Sequence, residues 1–82
     1  MALTVYSTTW CGPCKRLKSQ LAREGITFKE VDIERDPAAA EFVMSVNNGN
    51  QTVPTVVIET DHGRIVRTNP SAREVKALLG AA

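Results

Sequence analysis

The chain is poor in the residues that small domains use for covalent or metal support: it has two cysteines and one histidine in 82 residues. A secreted domain of this size ordinarily carries several disulfides to supplement its small core. Cys11 and Cys14 could close only a very short loop, which would remove little entropy from the unfolded chain, so a structural staple is a poor account of them. Structural zinc takes four ligands. With no second C-x-x-C, and with the lone His62 between Asp61 and Gly63 in a turn-like stretch, a single chain cannot supply them, and no metal is expected.

An excess of either charge is also missing. Ten Lys and Arg against nine Asp and Glu leave a formal net charge of +1, too little for the broad positive field on which nucleic-acid binding draws. The longest clearly apolar run, Val56-Val57-Ile58, is far below the roughly 20 residues that span a bilayer. Met1 leads directly into a strand-like stretch with no signal-peptide pattern. Nucleic acid and membrane are therefore not expected as partners, and a cytoplasmic location is expected. The apolar content of 43% and charged content of 23% are ordinary for a globular protein, so residues 1–82 are read as one domain.

What is present is a clear succession of elements. Leu3 to Tyr6 reads as a strand, and a helix is expected from Gly12 or Pro13, with Cys14, Leu17 and Leu21 on one face and Gly25 as its stop. Ile26 to Ile33 reads as a second strand whose apolar positions change phase between Phe28 and Val31, which suggests a twist or bulge. Asp36-Pro37 offers an N-cap and a first-turn proline for a helix carrying Ala39, Phe42, Val43 and Val46, ended by the polar run at 47–50. Thr55–Glu59 and Arg64–Arg67 flank a turn and predict an antiparallel hairpin, and Ser71 with Glu74 has the capping-box spacing for a last helix. The order β-α-β-α-β-β-α, with a parallel first pair and a final hairpin, predicts an α/β thioredoxin-like fold: a four-stranded mixed sheet flanked by three helices.

In that layout "TTWCGPCKRL" sets Cys11 where the first strand hands over to the first helix. Unsatisfied N–H groups and the positive end of the helix dipole favour a thiolate there, and Cys14 lies one turn on, within reach of the same sulfur. Cys11 is the expected attacker and Cys14 the resolver. A stabilised Cys11 thiolate is also the better leaving group when the oxidised pair is reduced.

"VYSTTWCGPCKRLKSQL", "VDIE", "TVPTVVI" and "NPSAREVKALL" together resemble the glutaredoxin family, and "AAAEFVMSVNNGNQTVPTV" is most similar to its actinobacterial mycoredoxin branch. The resemblance implies a cis Pro54 facing the cysteines, with the Val53 backbone pairing with an extended substrate. It adds Trp10, Gly12 and Pro13 to the substrate groove, and Asn69 and Ser71, at the start of the last helix, as holders of a small thiol's carboxylate. Ser71 is also explained simply as an N-cap. Lys15, Arg16 and Lys18 could steer such a thiol or form a solvated face, Tyr6 reads best as a packed strand residue, and Asp32 as the close of the second strand.

Two departures stand out. Thr8 occupies the position, three before the first cysteine, where glutaredoxins often have lysine, and Gly12-Pro13 resembles the thioredoxin dipeptide. Thioredoxin sits at about −270 mV and glutaredoxins at roughly −200 to −230 mV, so a potential on the reducing side of the glutaredoxin range is expected. The implied function is reduction of mixed disulfides between proteins and a low-molecular-weight thiol, mycothiol or glutathione, as co-substrate, with no tightly bound cofactor and a monomeric chain. Two alternatives stand beside it: a thioredoxin-like donor recharged by a flavoprotein disulfide reductase, and a dimer bridged by an iron-sulfur cluster. The clients would be disulfide-containing or thiolated proteins.

Overall fold

The computed structural model describes residues 2–81. Strand β1 (Ala2–Ser7) is followed by helix α1 (Gly12–Arg23), β2 (Lys29–Asp32), α2 (Pro37–Ser45), β3 (Thr55–Thr60), β4 (Gly63–Thr68) and α3 (Ala72–Ala81). All four strands form one sheet in the order β2-β1-β3-β4. The β1 and β2 strands run parallel, and β3 is antiparallel to both β1 and β4. This is the thioredoxin-like arrangement that the element order implied.

Alternation along the strands divides the apolar residues between two faces. Leu3 and Val5 of β1, with Val56 and Ile58 of β3, pack against Leu17 and Leu21 of α1 and Val75 of α3. The opposite face buries Ile33 with Ala39 and Val43 of α2, and Tyr6, Val31, Phe42 and Val53 pack around them. Tyr6 stacks at a tilt on Phe42, 5.2 Å between ring centres, as a packed strand residue should.

The phase change in the second strand has a simpler cause than a bulge. Phe28, in the loop just before β2, packs with the α1 and α3 face and Val31 with the α2 face, while the β1–β2 register runs unbroken from Thr4↔Lys29 to Ser7↔Asp32. The strand is also shorter than the expected 26–33, because Ile26 completes the end of α1. Gly25 takes φ +73°, and the N–H groups of Gly25 and Ile26 return to the carbonyls of Ala22 and Leu21 at 3.0 and 2.9 Å.

The other helices are capped as their sequences indicate. The Asp36 carboxylate accepts the Ala39 N–H at 3.2 Å, and the Ser71 hydroxyl accepts the Glu74 N–H at 3.0 Å. Glu74 does not complete a reciprocal box: its carboxylate lies 3.6 Å from Arg67 on β4. The β3–β4 hairpin turns at Asp61-His62, which leaves the exposed His62 at the end of the sheet opposite Cys11.

One polar side chain ties three elements together just before β3. The Asn47 amide donates to the carbonyl of Val43 at 2.8 Å and to the hydroxyl of Thr55 at 3.1 Å, and its oxygen accepts the Thr68 hydroxyl. Thr55 is fully buried and passes its own proton to the Thr52 carbonyl at 2.8 Å. The loop 51–54 is thus held between α2, β3 and β4. Replacing Asn47 with Ala removes the links from α2 to Thr55 and Thr68, while Thr55 keeps its bond to the Thr52 carbonyl and the exposed Thr68 turns to water, and is expected to cost about 1–2 kcal/mol in urea unfolding, whereas an exposed-residue control such as Ser19→Ala stays within about 0.5 kcal/mol.

Candidate active site

Strand β1 ends at Ser7, the chain turns through Thr8–Trp10, and Cys11 becomes the N-cap of α1 with extended backbone angles, φ −80° and ψ 112°. Pro13 fits in the first turn because its missing N–H would have no helical partner there. The Cys11 sulfur takes the place of the usual capping oxygen: it accepts the Cys14 N–H at 3.2 Å. Both thiols are free, and both are buried, Cys11 leaving 5% of its surface accessible and Cys14 none.

The second wall of the site comes from the loop before β3. The Val53–Pro54 peptide is cis, and the Val53 carbonyl accepts the Cys11 thiol proton across 3.7 Å. Pro54 is buried, and its carbonyl accepts the N–H of Asn69 at 2.7 Å, with Asn69 in the left-handed region at φ 50°. Cys11, Cys14, Gly12, Pro13, Val53, Pro54 and Asn69 are therefore brought to one end of the sheet. Trp10, directly before Cys11, is 69% exposed, so it covers no core and is free to meet a docking chain.

Ser71, two residues after Asn69, caps α3. It borders a groove of about 540 Å³ between α1 and α3, shared with Gln20, Arg23, Glu24, Ala72, Arg73 and Lys76, and neither cysteine reaches that groove. Its capping bond accounts for it as a structural residue. Asp32 also resolves to its structural reading: it accepts the Glu34 N–H at 2.9 Å and lies 3.7 Å from Arg35. Among the three basic residues of α1, Lys18 is engaged by Glu30 of β2, while Lys15 and Arg16 are exposed with no carboxylate partner among the described residues.

Two contributors were not legible in the sequence. Asn47 holds the loop that carries the Val53 carbonyl, and Glu30 collects the Lys18 ammonium and the Ser7 hydroxyl, the latter at 2.8 Å. These two donors hold the Glu30 carboxyl below the usual carboxylate range, Lys18 being the larger influence. Thr8, at the site where a lysine is frequent, is buried.

The two sulfurs are electrostatically unlike. Burial pushes the Cys14 thiol up to about 12, the hydrogen bond and charge of Cys11 add to that, and backbone hydrogen bonding at Thr8 and the Lys18 charge oppose it. Cys14 is thus a thiol at neutral pH, and Cys11 is the sulfur placed to react first. Once Cys11 joins a disulfide its charge is gone, and part of what keeps Cys14 protonated goes with it.

Because the Cys14 value rises on folding, the folded chain holds that proton more tightly than the unfolded one. The resulting stability is complete below pH 9, the ordinary value, and is lost as pH climbs toward about 12. The urea midpoint of the reduced protein is therefore expected to fall more steeply above pH 9 than that of Cys14→Ser. Parallel curves would contradict the assignment.

A glutaredoxin family model matches residues 3–62. A Mycobacterium tuberculosis protein described as a glutaredoxin is 59% identical over 78 residues, which cover 95% of this chain and 89% of that protein. Mycoredoxin 1 of Corynebacterium glutamicum is 40% identical over 80 residues, covering 96% and 94% of the two chains. NrdH-redoxin from Escherichia coli shares the fold, with a TM-score of 0.76 over 95% of each chain at 24% identity. The glutaredoxin from Archaeoglobus fulgidus gives 0.68 at 25% identity, over 96% of this chain and 87% of that one. With a free sulfur pair at the head of α1 opposite the Val53–Pro54 loop, the chain belongs to the glutaredoxin family and is a thiol-disulfide oxidoreductase of thioredoxin-like fold.

Proposed function

We propose that this protein reduces mixed disulfides between proteins and a low-molecular-weight thiol, with mycothiol as the co-substrate, Cys11 as nucleophile and Cys14 as resolving thiol. The observation that carries the assignment of roles is the Cys14 N–H on the Cys11 sulfur at 3.2 Å, which supports a thiolate at one cysteine, while burial keeps the other protonated. The choice of mycothiol rests on the 40% identity with mycoredoxin 1 over nearly the whole of both chains.

The first step is attack of the Cys11 thiolate on the small-thiol sulfur of the mixed disulfide. The client leaves as a thiolate, which takes a proton from water, and the small thiol remains bonded to Cys11. Loss of the Cys11 proton also breaks its hydrogen bond to the Val53 carbonyl, which frees that acceptor for a backbone N–H of an extended substrate. A second small thiol then attacks the adduct, forming the small-thiol disulfide and restoring the Cys11 thiolate. In the dithiol branch Cys14 displaces the small thiol instead and closes the Cys11–Cys14 disulfide.

Trp10, Gly12, Pro13, Val53, Pro54 and Asn69 form the substrate side in this reading. A Cβ added at Gly12 would touch nothing within 4 Å, so the fold itself does not require glycine there and the open space suits an approaching backbone. No tightly bound cofactor enters the scheme, and the chain works as a monomer in a reducing compartment such as the cytoplasm. The described residues contain no helix long and apolar enough to cross a membrane.

A second reading is favoured by Gly12-Pro13 and the completely buried Cys14: a thioredoxin-like donor recharged by a flavoprotein disulfide reductase. One turnover assay separates the two. On a synthetic protein–mycothiol mixed disulfide, mycothiol is expected to support turnover faster than glutathione or a thioredoxin reductase, and Cys14→Ser is expected to retain measurable de-thiolation. Turnover with the reductase alone, abolished in Cys14→Ser, would establish the second reading in place of the first.

A further inference from the structure

Lys18 stands one helical turn beyond Cys14, so the two side chains share a face of α1. Its ammonium is turned toward the sheet rather than the solvent: it donates to Glu30 on β2, whose carboxylate also accepts the Ser7 hydroxyl at the end of β1. Only 24% of the Lys18 side chain is accessible. Ser7 is itself buried and stands at the end of β1, just before the turn that leads to Cys11. These contacts hold a positive charge on the face of α1 that also carries the buried Cys14 thiol.

We infer that Lys18 is a positioning residue for the second half-reaction: its ammonium, anchored by Glu30, stabilises the negative charge that Cys14 carries as it attacks the Cys11 mixed disulfide. The inference rests on Cys14 being the resolving thiol. In the step concerned, the Cys14 proton passes to water and its thiolate bonds to the Cys11 sulfur. The bond from Cys11 to the small thiol breaks with its electron pair, and the small thiol leaves as a thiolate. Cys11 is neutral in the adduct, which leaves the Lys18 ammonium, one turn along the same face of α1, as the charge that favours a Cys14 thiolate.

The surroundings offer few rivals. Cys11 at the strand–helix junction, Lys18 on α1 and, through Lys18, Glu30 on β2 are the ionisable groups directed at Cys14, while the buried residues of β1, β3 and α3 include no ionisable side chain. The Lys18 charge works in the required direction, opposing the burial that keeps Cys14 protonated. Its engagement with Glu30 also takes it out of the set of basic residues available to attract a small thiol's carboxylate.

The test loads Cys11 with a chromogenic aryl thiol at acid pH, jumps the adduct to a series of higher pH values, and follows release of the aryl thiol as the Cys11–Cys14 disulfide closes. For Lys18→Met the rate profile is expected to move up by about one pH unit. At neutral pH closure is expected to be only about threefold slower, because a more basic thiolate is also a better nucleophile and regains part of the loss. Lys18→Arg is expected to restore the profile. An unshifted profile in Lys18→Met, or an equal loss of rate at every pH in both variants, would overturn the inference. A wild-type adduct that never releases its thiol would instead remove Cys14 as the resolving thiol, and the inference with it.

Discussion

The first turn of a helix has N–H groups that its own backbone cannot satisfy, and here one of them is given to a sulfur. This bond between the Cys14 N–H and the Cys11 Sγ links the chemistry to the fold. It needs β1 to end at Ser7 and α1 to begin at Gly12, so that Cys11 falls at the N-cap and Cys14 is carried one turn inward. A shift of either boundary by one residue would hand the donor to another side chain.

The remainder of the molecule keeps that junction facing the right surface. Leu17 and Leu21 anchor α1 on the sheet, which fixes the direction in which its N-terminus points. On the other side of the sulfur, Asn47 ties α2 to the beginning of β3 and the end of β4, and so holds the loop whose Val53 carbonyl faces Cys11. Specific polar contacts, few in number, carry positional precision that the apolar core alone would not supply. The contrast between the two cysteines follows from this placement: one sulfur lies at the surface end of the helix with a backbone donor, the other beneath it in the core.

Local patterns revealed much of this in advance. The strand at the N-terminus, the helix behind Gly12-Pro13, the Asp36 and Ser71 caps and the turn at Asp61-His62 are each written in a few neighbouring residues. The cis peptide before Pro54 was different, since only the family resemblance pointed to it. Contacts between residues distant in sequence left no local trace: nothing around Lys18 announces Glu30, and nothing in the polar run at 47–50 announces Thr55 or Thr68. The second strand shows how a pattern can mislead, because Phe28, just before β2, and Val31, within it, serve opposite faces of the sheet while the β1–β2 register stays regular. Ser71 illustrates the same limit, since its chain position suggested an N-cap and a small-thiol contact but gave no sign of the groove between α1 and α3 that it borders.

The hydrogen bond from the Cys14 amide to the Cys11 sulfur is the claim on which the account depends, and the amide proton resonance of Cys14 reports it most directly. In the reduced protein that resonance is expected to shift when Cys11 is replaced by Ala, which removes the acceptor, while in the unsubstituted chain the Cys14 Cβ resonance shows no ionisation until the pH nears about 12. A Cys14 amide proton indifferent to the loss of the Cys11 sulfur, or a Cys14 thiol that ionises at its ordinary value near pH 9, would contradict it.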